Sequence, residues 1–437
     1  MDIDKYLNNF IEKKCDCGRS HKILLPKIIM EKSALTQLPK LILDYHGTKV
    51  FVLSDINTYH AAGKTVCDIL STIGIAYSCY VITDKLLEPD EKSVGSAVMH
   101  FDSTCDLVIG VGSGVINDIG KILANTAKVP YFIVSTAPSM DGYASATSSM
   151  AMDGLKVSLP SKCPDVIIGD IDILKNAPMR MLQSGLGDMI AKYISIAEWR
   201  IAHEITGEYY CEEIADLIRG ALKRCVLNAG GLLKREDEAV KAVFEGLVIG
   251  GIAMACAGVS RPASGVEHYF SHIWDMRGLE FGDNVDLHGI QCAVATNIAV
   301  GLYEKILRMT PDRQKALAYV KTFDYTLWTK ELKTFLGSGA SAMIALEIKE
   351  QKYSVEKHQN RLEIILDKWE KICEIIREEI PTQTELENIL ETISAPKTIK
   401  EIGIDCDLIM TLKATKDIRD KYVLSRLLWD LGIIDEI

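Results

Sequence analysis

Three histidines fall between positions 268 and 288 of a chain that holds only nine. His268 and His272 are four residues apart, which on a helix puts both on one face. Val266, Tyr269, Phe270, Ile273 and Trp274 form the packing face of that segment, so the two imidazoles lie opposite it with Ser271 and Asp275. That opposite face points either to water or to a polar cavity. His288 opens a nearly continuous apolar run, Gly289–Tyr303, which must be buried. The positive end of a helix disfavours the protonated ring, and neutral imidazole is the form that binds a metal. Asp188 stands beside another apolar run reaching Trp199, where a carboxylate needs a partner or a cation because isolated burial is costly. Lys192, one turn on, is the plain alternative partner. One carboxylate and two imidazoles from separate helices, with a position left open, are what a divalent Lewis acid requires. Three unrelated histidines are the competing reading.

A second constellation lies upstream. Residues 107–118 read LVIGVGSGVIND, an apolar strand running into Gly110, Gly112 and Gly114 and then into a helix from about Val115. Glycines let a ligand approach the backbone, and the helix N-terminus offers free N–H groups and positive potential to a phosphate, with Ser113 as an added donor. The spacing matches neither standard nucleotide fingerprint, so a glycine turn without a ligand stays open. Asp55 follows an earlier strand, where it suits either ribose hydroxyls or the cap of the next helix. Residues 135–145, STAPSMDGYAS, make a hydroxyl-rich loop after a further strand, suited to ribose, amide or substrate hydroxyls.

The elements that must hold these groups change character along the chain. Strand patterns at Val50–Leu53, Ala76–Val81, Leu107–Ile109 and Tyr131–Val134 alternate with helical ones at His60–Ile73, Glu91–His100 and up to Ala127. This predicts βαβ units and a parallel sheet, with chemistry at the carboxyl ends of the strands. After Asp172 long periodic segments dominate: Asp188–Glu204, Glu212–Leu233, Asp237–Ala257, Asp286–Leu307 and Leu346–Glu379. Seven of the twelve prolines fall in the first 175 residues, in keeping with a helical second half. The expected organisation is an α/β domain over 1–175 and an all-α domain over 176–437, divided near Leu174–Pro178 and packed across a cleft.

Composition excludes some functions. With 49 basic against 60 acidic side chains the net charge is −11, which argues against nucleic-acid binding but allows a small anion in a local positive pocket. Met1–Lys14 lacks the pattern of a secretory signal, and the most apolar run, Gly246–Val259, is too short to span a bilayer of roughly 20 residues. Twelve scattered cysteines read as reduced thiols in a cytoplasm. Cys15, Cys17 and His21 form a Cys-x-Cys-x-x-x-His run, but with no fourth ligand in view it reads as structural or incidental.

Taken together, residues 112–118 (GSGVIND), 136–142 (TAPSMDG), 185–188 (GLGD), Glu267-His268 with His272, and Leu287-His288-Gly289 resemble the sn-glycerol-1-phosphate dehydrogenases. The likeness is to the bacterial branch of that family, within the iron-containing alcohol dehydrogenase and dehydroquinate synthase-like superfamily. It extends from about Leu25 to the C-terminal helices, although from Pro396 onward no motif matches. The resemblance implies metal ligation by Asp188, His268 and His288, with His272 facing substrate and Asp141 touching it. It implies dinucleotide contacts from Gly114, Val115, Ile116, Asn117, Asp118, Thr136, Ala137, Pro138 and Ser139, with Asp55 and Ser145 alongside. It further implies reduction of dihydroxyacetone phosphate to sn-glycerol 1-phosphate with NADH or NADPH and zinc or nickel, with iron a third candidate. A cytoplasmic homodimer supplying glycerol-1-phosphate-based lipids would follow. A glycerol dehydrogenase, a dehydroquinate synthase-like metal lyase without net cofactor turnover, and a non-catalytic nucleotide-binding protein are the alternatives.

Overall fold

In a computed structural model, residues 3–12, 14–84, 87–152 and 155–436 are described. Met1, Asp2 and Lys13 of the N-terminal stretch therefore lie outside the described residues. The chain folds as two compact units, Met1–Met189 with Asp216–Ser260, and Ile190–Ala215 with Arg261–Ile437.

The first unit is built on a six-stranded sheet in the order β1-β8-β5-β4-β2-β3. The strands are β1 Lys27–Glu31, β2 Lys49–Asp55, β3 Ala76–Ile82, β4 Leu107–Gly112, β5 Tyr131–Ser135 and β8 Val166–Asp170. Every pairing in it is parallel. The central strands β4, β5 and β8 are buried along their whole length, which is why they read as unbroken apolar runs. Only β3, at the edge, exposes several of its side chains. Val50, Val52, Ile109, Val111, Phe132, Val134, Val166 and Ile168 belong to one core beneath the sheet. Burial of each such side chain contributes about 1.5–3 kcal/mol.

Strand order reverses between β2 and β4, because β3 lies outward from β2 while β5 and β8 lie on the other side of β4. Ligands of parallel sheets bind at the carboxyl ends beside such a reversal. There the register sets Ser54 beside Val111 and Gly112 beside Ser135. Asp55, Ser113 and Thr136 therefore leave the sheet at one edge. The hydroxyl-rich loop leads into an antiparallel hairpin, β6 Thr147–Met152 and β7 Leu155–Pro160, which the alternation pattern did not predict.

The helix Asp237–Ala257 joins this first unit, with Phe244 edge-on to Tyr143 at 5.2 Å. It is 21 residues long, enough to cross a membrane by length and composition, yet 83% of its apolar window is buried in the protein. Most of the run Gly246–Val259 thus lies within the expected helix Asp237–Ala257, and that helix is a core element.

In the second unit the helices Lys192–Thr206, Val266–Phe281 and His288–Ile306 carry the residues of interest. The periodic stretch Leu346–Glu379 is not one helix but parts of three, Ala340–Glu350, Val355–Asp367 and Trp369–Glu379. Gln351 takes a left-handed conformation at φ 52° and ends the first, and Ser354 caps the second through Lys357 N–H.

The C-terminal segment, which matched no motif, is core. Trp429 is fully buried, and the Asp430 carboxylate accepts from Arg361 Nε and Nη2 at 2.8 Å each and from Tyr422 at 2.9 Å. Asp417 sits among Lys416, Arg426 and Tyr353. Burial alone would raise its carboxyl, but the neighbouring cations outweigh that and hold it below the usual range.

Candidate active site

In the first unit, β4 runs through Gly112 into the helix Gly114–Ala127. Ser113 precedes that helix without capping it through its side chain. The first N–H groups, of Gly114, Val115 and Ile116, have no partner inside the helix and so suit a phosphate. Asn117 and Asp118 both engage the protein around the hydroxyl-rich loop. Asn117 is fully buried and its amide donates to the Gly142 carbonyl at 3.1 Å. Asp118 pairs at 3.0 Å with the buried Lys121, which also donates to the Thr147 carbonyl at 2.6 Å. Burial raises the Asp118 carboxyl, and Lys121 opposes the rise. These two residues help hold the hydroxyl-rich loop.

That loop is anchored from within. Tyr143 donates to the Ala137 carbonyl at 2.6 Å, and Ser184 to the Ser139 carbonyl at 2.8 Å. Thr136, Ala137, Pro138 and Ser139 are buried, while Ser145, half-buried, pairs with Thr147 at 2.9 Å. Gly185 makes the close approach possible, since a Cβ there would overlap the Pro138 carbonyl. Asp55 caps the next helix, its Oδ1 accepting from Asn57 and Thr58 N–H at 2.7 and 3.0 Å.

Asp188 does not begin a helix, as the periodicity implied. It stands in the last turn of the helix Met179–Ile190, fully buried. Its Oδ2 accepts the Asp141 N–H at 2.9 Å, and carboxylate oxygens of the two residues approach within 4.8 Å. Two acids brought together in this way call for a cation.

In the second unit the helix Val266–Phe281 carries His268 and His272, and His288 is the first residue of the helix His288–Ile306, as expected. His268 and Ser271 are buried, so the polar face of the first helix looks into the interior rather than to water. The rings of His268 and His288 lie 5.0 Å apart at 65°, and that of His272 lies 6.1 Å from His288 at 22°. Nδ1 of His268 donates to Glu267 at 2.7 Å, and Nδ1 of His288 pairs with Ser271 at 2.9 Å. Pairing at Nδ1 is the usual way outer groups orient metal-binding histidines, which then ligate through Nε2. The donor set fits a divalent transition metal. Sequence reasoning missed Cys292, whose Sγ is 3.6 Å from His288 Nε2 and which clusters with both histidines. Its place four residues after His288 was the available signal.

Behind these ligands lies a carboxylate layer. Glu267 is fully buried, and its Oε1 also accepts the Gly265 N–H at 2.7 Å. Glu198 accepts the N–H of Val266 at 2.9 Å and of Leu424 at 2.8 Å. Burial pushes both carboxyls up, Glu198 to about 8 with the Glu267 charge adding to the effect. The C-terminal segment thus helps fix the start of the helix that presents His268. Lys192 donates to the Ala263 carbonyl at 3.1 Å.

Residues 29–178 match the family model described as iron-containing alcohol dehydrogenase. A glycerol-1-phosphate dehydrogenase (NAD(P)+) of Geobacillus thermodenitrificans is 30% identical over 341 residues, spanning 77% of this chain and 84% of that one. The chain belongs to the glycerol-1-phosphate dehydrogenase family. A second member, from Halalkalibacterium halodurans, is 27% identical over 387 residues, 88% of this chain and 87% of that one. The crystal structure of glycerol dehydrogenase from Schizosaccharomyces pombe shares the fold at a TM-score of 0.61 and 17% identity, covering 97% of this chain and 92% of that chain. The expected architecture, a parallel α/β region followed by a helical one, holds.

Proposed function

We propose that this family member catalyses the reversible, metal-dependent reduction of dihydroxyacetone phosphate to sn-glycerol 1-phosphate with NADH or NADPH. The observation that carries the reading is the pair His268 and His288, each engaged at Nδ1 by Glu267 or Ser271 in the orientation that metal-binding histidines take. Asp188, His268 and His288 would hold that cation, zinc or nickel by preference and iron as a third candidate. When bound, the cation supplies Lewis acidity toward a substrate oxygen and the nicotinamide supplies or takes a hydride.

The chain's own residues do the rest. The N–H groups of Gly114, Val115 and Ile116 would receive the cofactor's phosphates, with Thr136–Ser139, Ser145 and the second oxygen of Asp55 bounding its ribose and amide groups. Asn117 and Asp118 act through the loop they fasten. Asp141, whose backbone N–H is fixed on Asp188, would orient a substrate hydroxyl. His272 would pass the proton to and from the substrate oxygen through a ring nitrogen. Burial of Asp188 and His268 keeps water from competing for these groups. We also carry over from the family resemblance a cytoplasmic homodimer and a role in lipid synthesis.

The test follows absorbance of NADH and of NADPH with dihydroxyacetone phosphate, before and after chelation, and determines product chirality. Metal-dependent oxidation of either cofactor with sn-1 product is expected. Asp188→Ala and His288→Ala should lose metal retention and turnover together. Undiminished activity in metal-free protein would refute the proposal, as would reduction confined to unphosphorylated substrates.

A further inference from the structure

Near the N-terminus, among residues given no role above, the run Cys15-Asp16-Cys17-Gly18-Arg19-Ser20-His21 folds back on itself. Gly18 adopts φ +78°, a conformation that a side chain resists. The turn it makes brings the Arg19 N–H to Cys17 Sγ at 3.4 Å. His21 is 3% exposed although it follows an exposed turn. The Phe10 ring stacks on it at 6.1 Å and 17°.

The tautomer of His21 follows from its partners. Nδ1 lies 3.1 Å from the carbonyl oxygen of Cys256. A carbonyl only accepts, so Nδ1 carries the proton and Nε2 carries the lone pair. That lone pair is directed toward Cys17 Sγ, 3.3 Å away. Cys15 Sγ, Cys17 Sγ and a ring nitrogen of His21 all lie within 4.8 Å of one another. Around a tetrahedral zinc ion, the usual bond lengths put sulfur and nitrogen ligands about 3.6 Å apart and two sulfurs about 3.8 Å apart. The observed spacing needs shifts of only a few tenths of an ångström for the Cys17–His21 pair.

We propose that Cys15, Cys17 and His21 form a second metal site, structural in role, for a thiophilic divalent cation, with zinc as the fitting ion. Binding forms two sulfur–metal bonds and one nitrogen–metal bond, and the two thiol protons leave to solvent. The His21 ring arrives already oriented by the Cys256 carbonyl, as metal-binding histidines generally are. The missing fourth ligand, which argued against a site when only spacing was visible, is no obstacle. A tetrahedral ion takes its last donor from water or from a residue distant in sequence. The site ties the N-terminal segment to the end of the helix Asp237–Ala257, where Cys256 lies.

The test uses the full chain, stripped of metal and reloaded with Zn2+ or Co2+. Wild type should bind two equivalents, and the Co2+ form should show a thiolate-to-cobalt charge-transfer band in the near ultraviolet. His288→Ala should lose one equivalent and keep a charge-transfer band. Cys15→Ser with Cys17→Ser should lose the other equivalent and most of the band's intensity, while the metal bound at the catalytic histidines remains. These opposite losses separate this inference from the proposed activity. A guard against misfolding of the serine variant is alkylation of wild-type protein followed by peptide mapping. Zn2+ should protect Cys15 and Cys17 at least tenfold. Equal alkylation of both cysteines with and without Zn2+, or a serine variant whose metal content and Co2+ spectrum match wild type, overturns the proposal.

Discussion

Glu267 is the sharpest point at which to test whether the histidine pair is a metal site. Its Oε1 accepts from His268 Nδ1 and from Gly265 N–H, both at 2.7 Å, and the residue is wholly buried. Glu267→Gln keeps an acceptor oxygen in place and removes only the charge. Hydrogen bonds to an ionised group contribute about 1.5–3 kcal/mol against about 0.5–1.5 for neutral pairs. The change therefore weakens each of the two bonds by about 1 kcal/mol. Only the bond to His268 bears on the basicity of the ligand, which predicts a loss of metal affinity of about fivefold, just below the 10–100-fold range for such outer groups. Glu267→Ala removes both bonds and should fall toward the upper end, with a further destabilisation of about 1–3 kcal/mol from the unsatisfied Gly265 N–H. Affinity would be read by competition with a chromogenic chelator, alongside thermal unfolding of the metal-free protein. Glu198→Gln is the control, because Glu198 braces the same helix at Val266 without touching His268, and it should leave metal affinity unchanged. Should Glu267→Gln bind metal within twofold of wild type while Glu267→Ala only loses stability, Glu267 is a helix brace and the orientation argument is wrong.

Other positions give independent outcomes. Gly185→Ala gains about 1 kcal/mol in helix propensity, but its Cβ meets the Pro138 carbonyl; overpacking costs of 1–3 kcal/mol win, and steady-state kinetics should show a raised cofactor KM. Asp417→Asn removes the anion from among Lys416 and Arg426 and should destabilise by about 3–5 kcal/mol, seen as a lower Tm. Burial lowers the Lys416 ammonium from 10.5 to about 7. Between those values the unfolded chain holds a proton that the folded one has lost, so Lys416 makes stability rise with pH across that window. Denaturant titrations at pH 7 and pH 10 should show a smaller rise for Lys416→Met than for wild type.

The parallel sheet was legible because strands buried on both faces read as plain apolar runs. Two helices were bounded to the residue by their caps. Asp90 accepts Ser93 N–H at the start of Glu91–His100, and Gly258, at φ 69°, ends Asp237–Ala257. β1 and β8 were not placed, since each pairs with the other across more than a hundred residues and no local signal reports such a partner. The hairpin β6–β7 escaped because small polar residues, TSSMAM, blur its alternation. The break at Gln351 depends on one left-handed residue of a type that helices usually accept.

The candidate site divides along the same line. Its ligands were legible by residue type: rare imidazoles at helical spacing and an acid beside an apolar run. What orients them was not. Ser271 reaches His288 across seventeen residues, and Glu198 gathers Val266 and Leu424 from 68 and 226 residues away. Such pairs form only once the helices have packed, so residue type cannot announce them. Cys292 went unnoticed for a different reason: a cysteine in an apolar helix looks like any small core residue until the ring of His288 is seen beside it. The run from Cys15 to His21 is the reverse case. Its residue types announced a metal, and the doubt came from counting ligands along the chain, although tetrahedral coordination places no limit on how far away in sequence the last donor stands.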